Sequence, residues 1–281
     1  MRFLVTGGAG FVGTNLIKRL LVDGHEVVSI DNYKTGYETN HQDGAEYEYG
    51  DVRVFKNYNK FGSFDAIYHL AAIARIQPSF KNPIDYFETN ANGTLYLAEH
   101  CVKNNIPMIY AGSSSHHSGK FKNPYTFSKD VGEEIVKLFQ EHFNLKSSIA
   151  RFYNVYGPHH LKEGGYCTLI GKWEHSIENG DPLTIYGDGT KRRDFTHIHD
   201  IVDGLIRINE KEKWGFTFEL GRGKNYSVNE IAKMFGRETV YLDDKPGEAQ
   251  ITLCDSSLAK EHLDWEAKLD IEDYIKEYLN K

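Results

Sequence analysis

The chain has 281 residues with 33 Lys+Arg against 40 Asp+Glu, a formal charge of −7 that argues against a broad basic surface for nucleic acid. Its 40% apolar, 26% charged and 13% aromatic composition is that of a folded protein with a sizeable core, which excludes a disordered chain. Cys101, Cys167 and Cys254 are too few for a disulfide framework and too far apart for a local metal clip, so a reducing cytoplasmic setting and no metal are expected.

The first residues, MRFLVTGGAG, form a short apolar run broken by glycines, which reads as neither a signal peptide nor a membrane span. Residues 2–6 make a β-rich run, 11–23 an amphipathic stretch and 26–30 a second β-branched run after Gly24, giving strand, helix, strand. Apolar runs at 66–70, 108–111 and 147–151 continue the rhythm, separated by helix-length segments at 84–104 and 125–143. Alternating strands and helices predict an α/β, Rossmann-like doubly wound parallel sheet, because parallel neighbours need a crossover. Beyond Arg151 the elements shorten (168–178, 199–209) between loops rich in Gly, His and Pro, ending in a closing helix at 271–279. The expected organisation is a nucleotide-binding domain over 1–155 and a smaller mixed substrate lobe over 156–281, some of whose segments return to the first domain.

Gly7, Gly10 and Gly13 fall directly between the first strand and the first helix. Small residues there let the backbone approach a pyrophosphate, whose charge the helix N-terminus favours. Asp31, at the end of the next strand, is placed to accept the adenosine ribose hydroxyls and to repel a 2′-phosphate, so NAD is expected over NADP. Asp51-Val52 follows another strand and either edges the adenine or is an ordinary solvated loop. Tyr125 and Lys129 lie four apart at the start of a helix and hence on one face. A neighbouring ammonium would favour the tyrosine phenolate, which could take a proton from a sugar hydroxyl.

Together TGGAGFVG, Asp31, His69-Leu70-Ala71-Ala72, Ser113-Ser114-Ser115, Tyr125-x-x-x-Lys129, the run from Asn90 to Thr94, Asn154 to Pro158 and Gly187 to Phe195 resemble the extended short-chain dehydrogenase/reductase family. That family includes the nucleotide-sugar epimerases and dehydratases. The resemblance implies Tyr125 as catalytic base, Lys129 as binder of the nicotinamide ribose, and Ser115 as hydrogen-bond partner of the reacting hydroxyl. It implies a cofactor cleft that also takes in Phe11, Val12, Asn32, Asp51, Val52, Leu70, Ala71, Ala72, Asn90 and Phe152. Asn154, Arg193, Lys245, Glu248 and Thr252 fall to the substrate, and a homodimer through helices 84–104 and 125–143 is implied.

Two departures stand out. Ser115 and Tyr125 are only ten positions apart, closer than the family usually has them, so Ser114, His116 or Ser118 could take over the serine's role. Lys245 stands where arginine is usual, a point charge in place of a fork. Where dehydratases carry an acidic pair and decarboxylases a glutamate, this chain has His116-His117, which leaves 4-epimerisation of a nucleotide sugar as the simplest expectation. Another reaction of the family and a non-catalytic NAD-binding relative are the alternatives. The resemblance places Thr252 where the family's 4-epimerases carry a residue whose bulk limits space at the sugar C2, and its small side chain then implies room for an N-acetyl group.

Overall fold

The computed structural model describes residues 1–54 and 58–280. Strands β1 (Arg2–Thr6), β2 (Glu26–Asp31), β3 (Glu46–Tyr49), β4 (Ala66–His69), β5 (Met108–Ser113) and β6 (Ser147–Phe152) lie in one sheet. Between and beyond them come α1 (Phe11–Val22), α2 (Ile76–Lys81), α3 (Pro83–Phe87), α4 (Gly93–Asn104) and α5 (Pro124–Phe143). Then follow β7 (Val155–Tyr156), α6 (Leu169–Glu178), β8 (Leu183–Tyr186), β9 (Arg192–Asp194), β10 (Thr196–His197) and α7 (Ile198–Glu210). The chain ends with β11 (Thr217–Leu220), β12 (Asn225–Ser227), α8 (Val228–Phe235), β13 (Thr239–Leu242), α9 (Ser257–Leu263) and α10 (Ile271–Leu279).

Among the described residues the central sheet has seven strands in the order β11-β6-β5-β4-β1-β2-β3, all parallel. The two-residue period of β1 divides the core. Phe3 and Val5 join α1 (Leu16, Ile17, Leu20) and α7 (Ile201, Leu205, Ile208) on one face. Leu4 points the other way into Leu97, Ala98 and Cys101 of α4 and Val136 and Phe139 of α5. The strand order reverses between β2 and β4 around β1, so the carboxyl ends of β1 and β4 open the crevice in which such sheets bind ligands.

The expected helix over 84–104 is present as α3 and α4, joined without a break by a π-helical turn, Glu88–Asn92, which carries Asn90. Of the apolar positions on these two helices, Leu97, Ala98, Val136 and Phe139 face the sheet, because both helices must cover it. Leu95 remains exposed, with Ile84 and Leu138.

Past Tyr156 the chain alternates between cores. Trp173 of α6, Ile185 of β8, Phe235 of α8 and Ile275 of α10 build a separate cluster, while α7, β11 and α9 pack back on the central sheet. Three two-stranded pieces, β10-β7, β12-β9 and β13-β8, frame that lobe. The short strands went unread in the sequence because each has four residues or fewer and pairs with one neighbour only. Among the described residues no helix is long and apolar enough to cross a membrane.

Candidate active site

A cleft of about 1130 Å³ runs between the sheet's carboxyl edge and the smaller lobe. At one end, Gly10 caps α1 without a side-chain hydrogen bond and no acidic residue occupies the first turn, so the helix N–H groups are open to an anion. A Cβ on Gly13 would sit 2.2 Å from the Gly7 carbonyl oxygen, and Gly7 itself has φ +75° with Ala71 N 2.8 Å from where its Cβ would be. Only glycine fits this turn, and Phe11, Val12, Leu70, Ala71 and Ala72 continue its wall.

Asp31 ends β2 inside the same wall. Its oxygens accept from the backbone N–H groups of Ala9 (3.0 Å) and Tyr33 (2.8 Å), which leaves lone pairs for further donors. Burial, the largest influence, raises its pKa against those bonds. The donors and the turn together fit a dinucleotide. Asn32, Val52 and Phe152 also line the cleft. Asp51 is not among the described residues that do: Arg53 (2.7 Å) and Asn32 (3.0 Å) hold it, and against its burial those bonds bring its pKa down to about 2. Asn90 is likewise committed inside the protein, accepting from Ile73 N (2.8 Å) and donating to Ile73 O and Ser128 Oγ (3.0 Å each). Both side chains are thus already fixed by protein partners. His69 is a core residue between Thr6 and Thr94, its pKa drawn by burial to about 3.

Asn123 caps α5 through Thr126 N (2.8 Å), with Pro124 at its first position, and this starts the helix so that Tyr125 meets β5. The Tyr125 hydroxyl donates to Ser113 Oγ at 3.1 Å, and Ser115 Oγ lies 2.9 Å beyond on Ser113. Ser113, where β5 ends, thus stands between Tyr125 and Ser115; the next residues turn into a 3-10 helix, and Ser115 lines the cleft. His116 is drawn off to Asp130 (2.8 Å) and His117 to Glu219 (2.8 Å). His116, Asp130 and Glu133 offer ligand atoms within 4.8 Å, yet both Glu133 oxygens are engaged by Arg151.

Lys129 shares the helix face but turns inward, donating to Ala111 O (2.7 Å) with its ammonium 4.2 Å above the Tyr110 ring. Burial lowers its pKa to about 8. Burial also raises that of Tyr125, opposed by the Ser113 hydrogen bond and by the charge of Arg75.

At the substrate end, Arg193 is mostly buried and faces Glu248 (3.6 Å), whose other oxygen takes Gln77 (3.3 Å). Burial lowers the Arg193 pKa. Asp194 is not its partner; that carboxylate accepts from Arg222, Gly223 and Cys254 backbone N–H groups. Asn154, with φ +31°, donates to Asp194 O (2.8 Å) and Thr252 Oγ1 (3.2 Å), and Asp194 N also bonds Thr252 Oγ1 (3.1 Å). Lys245 lies 3.4 Å over the Tyr186 ring. Arg75, Tyr166, Tyr186 and Lys172, which sequence reasoning passed over, also line the cleft. The position of Arg75 just after β4, beside the sheet's switch point, was the one signal for it.

Residues 3–221 match the model of the NAD dependent epimerase/dehydratase family. The UDP-glucuronate 4-epimerase of Thermodesulfobacterium geofontis is 31% identical, the alignment covering 99% of this chain and 95% of that one. The UDP-N-acetyl-alpha-D-glucosaminuronate decarboxylase of Bacillus cytotoxicus is 28% identical over 83% of this chain and 78% of its own. The structure of UDP-glucose 4-epimerase from Thermotoga maritima, solved with UDP-glucose, superposes with a TM-score of 0.92 at 26% identity, covering 100% of this chain and 99% of that one. With the glycine turn, Asp31 and the Tyr125-x-x-x-Lys129 helix meeting in one cleft, this chain belongs to the NAD-dependent epimerase/dehydratase family of the extended short-chain dehydrogenases/reductases.

Proposed function

We propose that the protein is a nucleotide-sugar 4-epimerase working through a transient 4-keto sugar. NAD, when bound, supplies the hydride acceptor and donor together with a positively charged ring. Tyr125 takes the proton of the C4 hydroxyl and returns it after the ring has turned, with Ser113 and Ser115 relaying the hydrogen bond. Arg193 and Lys245 hold the diphosphate while the sugar rotates, and Glu248 keeps the Arg193 fork in place.

The observation that carries this reading is the set of acids around the cleft. Among the described lining residues the carboxylates are Asp31 at the adenosine end, Asp244 on Lys191, and Glu248 on Arg193. None stands beside Tyr125, where eliminating water would require one. The kinship with a decarboxylase keeps a second reading, oxidation at C4 followed by loss of CO₂. Incubation with UDP-, GDP- and dTDP-sugars, products read by mass and NMR, tests the proposal. The expected outcome is an isomeric mixture without net consumption of NAD(P)H; a dehydrated, decarboxylated or reduced product overturns it.

Thr252 supports tolerance at C2, since its side chain is small and its hydroxyl is turned onto Asn154 and Asp194. Thr252→Tyr should depress kcat/KM for a UDP-N-acetylhexosamine at least tenfold more than for the plain UDP-hexose, because steric exclusion acts on the added group. The ratio is the readout, as the lost hydrogen bonds affect both substrates; equal losses reject the assignment. A homodimer through α3, α4 and α5 is also proposed, on the exposed Ile84, Leu95 and Leu138. Light scattering at micromolar concentration should give twice the chain mass, and a monomer refutes it.

A further inference from the structure

The cleft's cations are mostly answered by protein partners. Lys34 pairs with Asp85 (2.7 Å), Lys191 with Asp244, and Arg193 with Glu248. Lys172 and Lys245 lie against Tyr186, and Lys81 is an exposed ammonium, a point charge without a planar fork. Arg75 differs. Its Nε donates to the Tyr166 carbonyl oxygen at 3.0 Å, and among the described residues no carboxylate pairs with it. A guanidinium has five N–H donors in a planar fork, so most of its capacity remains directed to whatever enters the cleft it lines.

Its backbone is held to a purpose. Arg75 has φ +83° and ψ +139°, a conformation that side chains other than glycine's rarely adopt. A chain optimised for stability alone would place glycine there, and backbone outliers of this kind gather at ligand sites. What fixes the conformation is Tyr86, whose buried hydroxyl lies 2.8 Å from Ala74 O and 2.9 Å from Arg75 O. The Tyr86 ring stands edge-on to that of Tyr125, with centroids 6.2 Å apart. The same buried tyrosine therefore sets the Arg75 backbone and abuts the phenol that meets C4. Burial, the largest influence on Tyr125, raises its pKa, and after the Ser113 hydrogen bond the charge of Arg75 is the next to act against it, which agrees with that closeness.

On the reading of Tyr125 as the base at C4, the substituent nearest the reacting centre on one side is the one on C5. A neutral hydroxymethyl group would leave an unpaired fork beside it. We propose that the substrate is a nucleotide hexuronate and that Arg75 receives its C5 carboxylate. Arg75 then fixes the sugar by a charge-assisted and geometrically bidentate contact, while Arg193 and Lys245 serve the diphosphate.

The test separates recognition from reaction. In the NAD-loaded Tyr125→Phe protein, whose turnover is slowed at least about a hundredfold, calorimetry should find UDP-glucuronate at least tenfold tighter than UDP-glucose. Arg75→Met in that background should abolish the preference, and Arg75→Lys should keep part of it. Arg75→Gly, which removes the charge and suits the backbone, should lose the preference while raising Tm, so misfolding cannot imitate the result. In the active enzyme, the ratio of kcat/KM for UDP-glucuronate to that for UDP-glucose should fall at least tenfold on Arg75→Met. Equal binding of both nucleotides to the parent protein, or a preference unaltered by Arg75→Met and Arg75→Gly, overturns the proposal. If UDP-glucuronate is bound through Arg75 but leaves as a UDP-pentose and CO₂, the hexuronate assignment stands and the 4-epimerase reading falls.

Discussion

Tyr125→Phe is expected to lower kcat by at least about two orders of magnitude, the usual cost of removing a positioned acid/base. It should leave NAD affinity within a few-fold, because the turn at Gly7, Gly10 and Gly13 and the Asp31 carboxylate lie at the other end of the cleft. The hydroxyl removed donates to Ser113 and is, on the proposed mechanism, the group that exchanges a proton with C4. Phenylalanine keeps the edge-on packing against Tyr86, so the fold is undisturbed. The pH dependence discriminates further. Burial raises the Tyr125 pKa, so the phenolate is scarce at neutral pH and the wild-type rate should climb as pH rises toward that pKa. Steady-state kinetics across pH should show that climb in the wild type and a flat residual rate in the variant. Turnover of Tyr125→Phe within tenfold of wild type would remove the tyrosine from the mechanism.

The sheet was legible because its period is short and its burial complete: the two-residue alternation in β1 sends Phe3 and Val5 to one helical layer and Leu4 to the other, and those runs stand out in the chain. The cofactor end was legible for a related reason. A turn that admits no Cβ and a carboxylate at the next strand's end are local in sequence, so their spacing carries the geometry. What spacing alone did not show is which partners hold each side chain. Asp51 is held by Arg53 and Asn32, and Asn90 by the Ile73 backbone and Ser128. The four-residue spacing put Lys129 on the Tyr125 face, yet the carbonyl of Ala111 on the adjoining strand took its ammonium. Arg75 was passed over because neither its positive φ nor its dependence on Tyr86, eleven residues on, is written in composition or period.

The same long-range logic gives the largest stability effect. Glu133, one helical turn beyond Lys129, is 1% exposed, and Arg151 of β6 grips both its oxygens at 2.6 to 3.1 Å. Arg151 also reaches Glu219 of β11 at 2.8 Å, and Tyr153 closes on the other Glu219 oxygen at 2.9 Å, so one network ties the catalytic helix to two strands. Glu133→Ala leaves a buried guanidinium with half its partners, and removing one member of a buried pair costs about 3–5 kcal/mol. For a chain of this size that corresponds to a Tm lower by roughly 10 °C. Replacing both partners, as Glu133→Leu with Arg151→Met, should recover much of the loss, because apolar residues of similar volume avoid the desolvation that the lone ion suffers. Scanning calorimetry of the single and double variants makes the comparison, and a shift under about 3 °C for the single variant would show the pair to be dispensable. The loss also reaches the chemistry. Burial pulls the Lys129 pKa down to about 8, and the Glu133 charge is what opposes it. Without that charge the ammonium is lost at lower pH, so any alkaline fall in kcat that depends on protonated Lys129 should begin earlier in Glu133→Ala than in wild type. A merely structural role for Glu133 would lower Tm and leave the position of that limb unchanged.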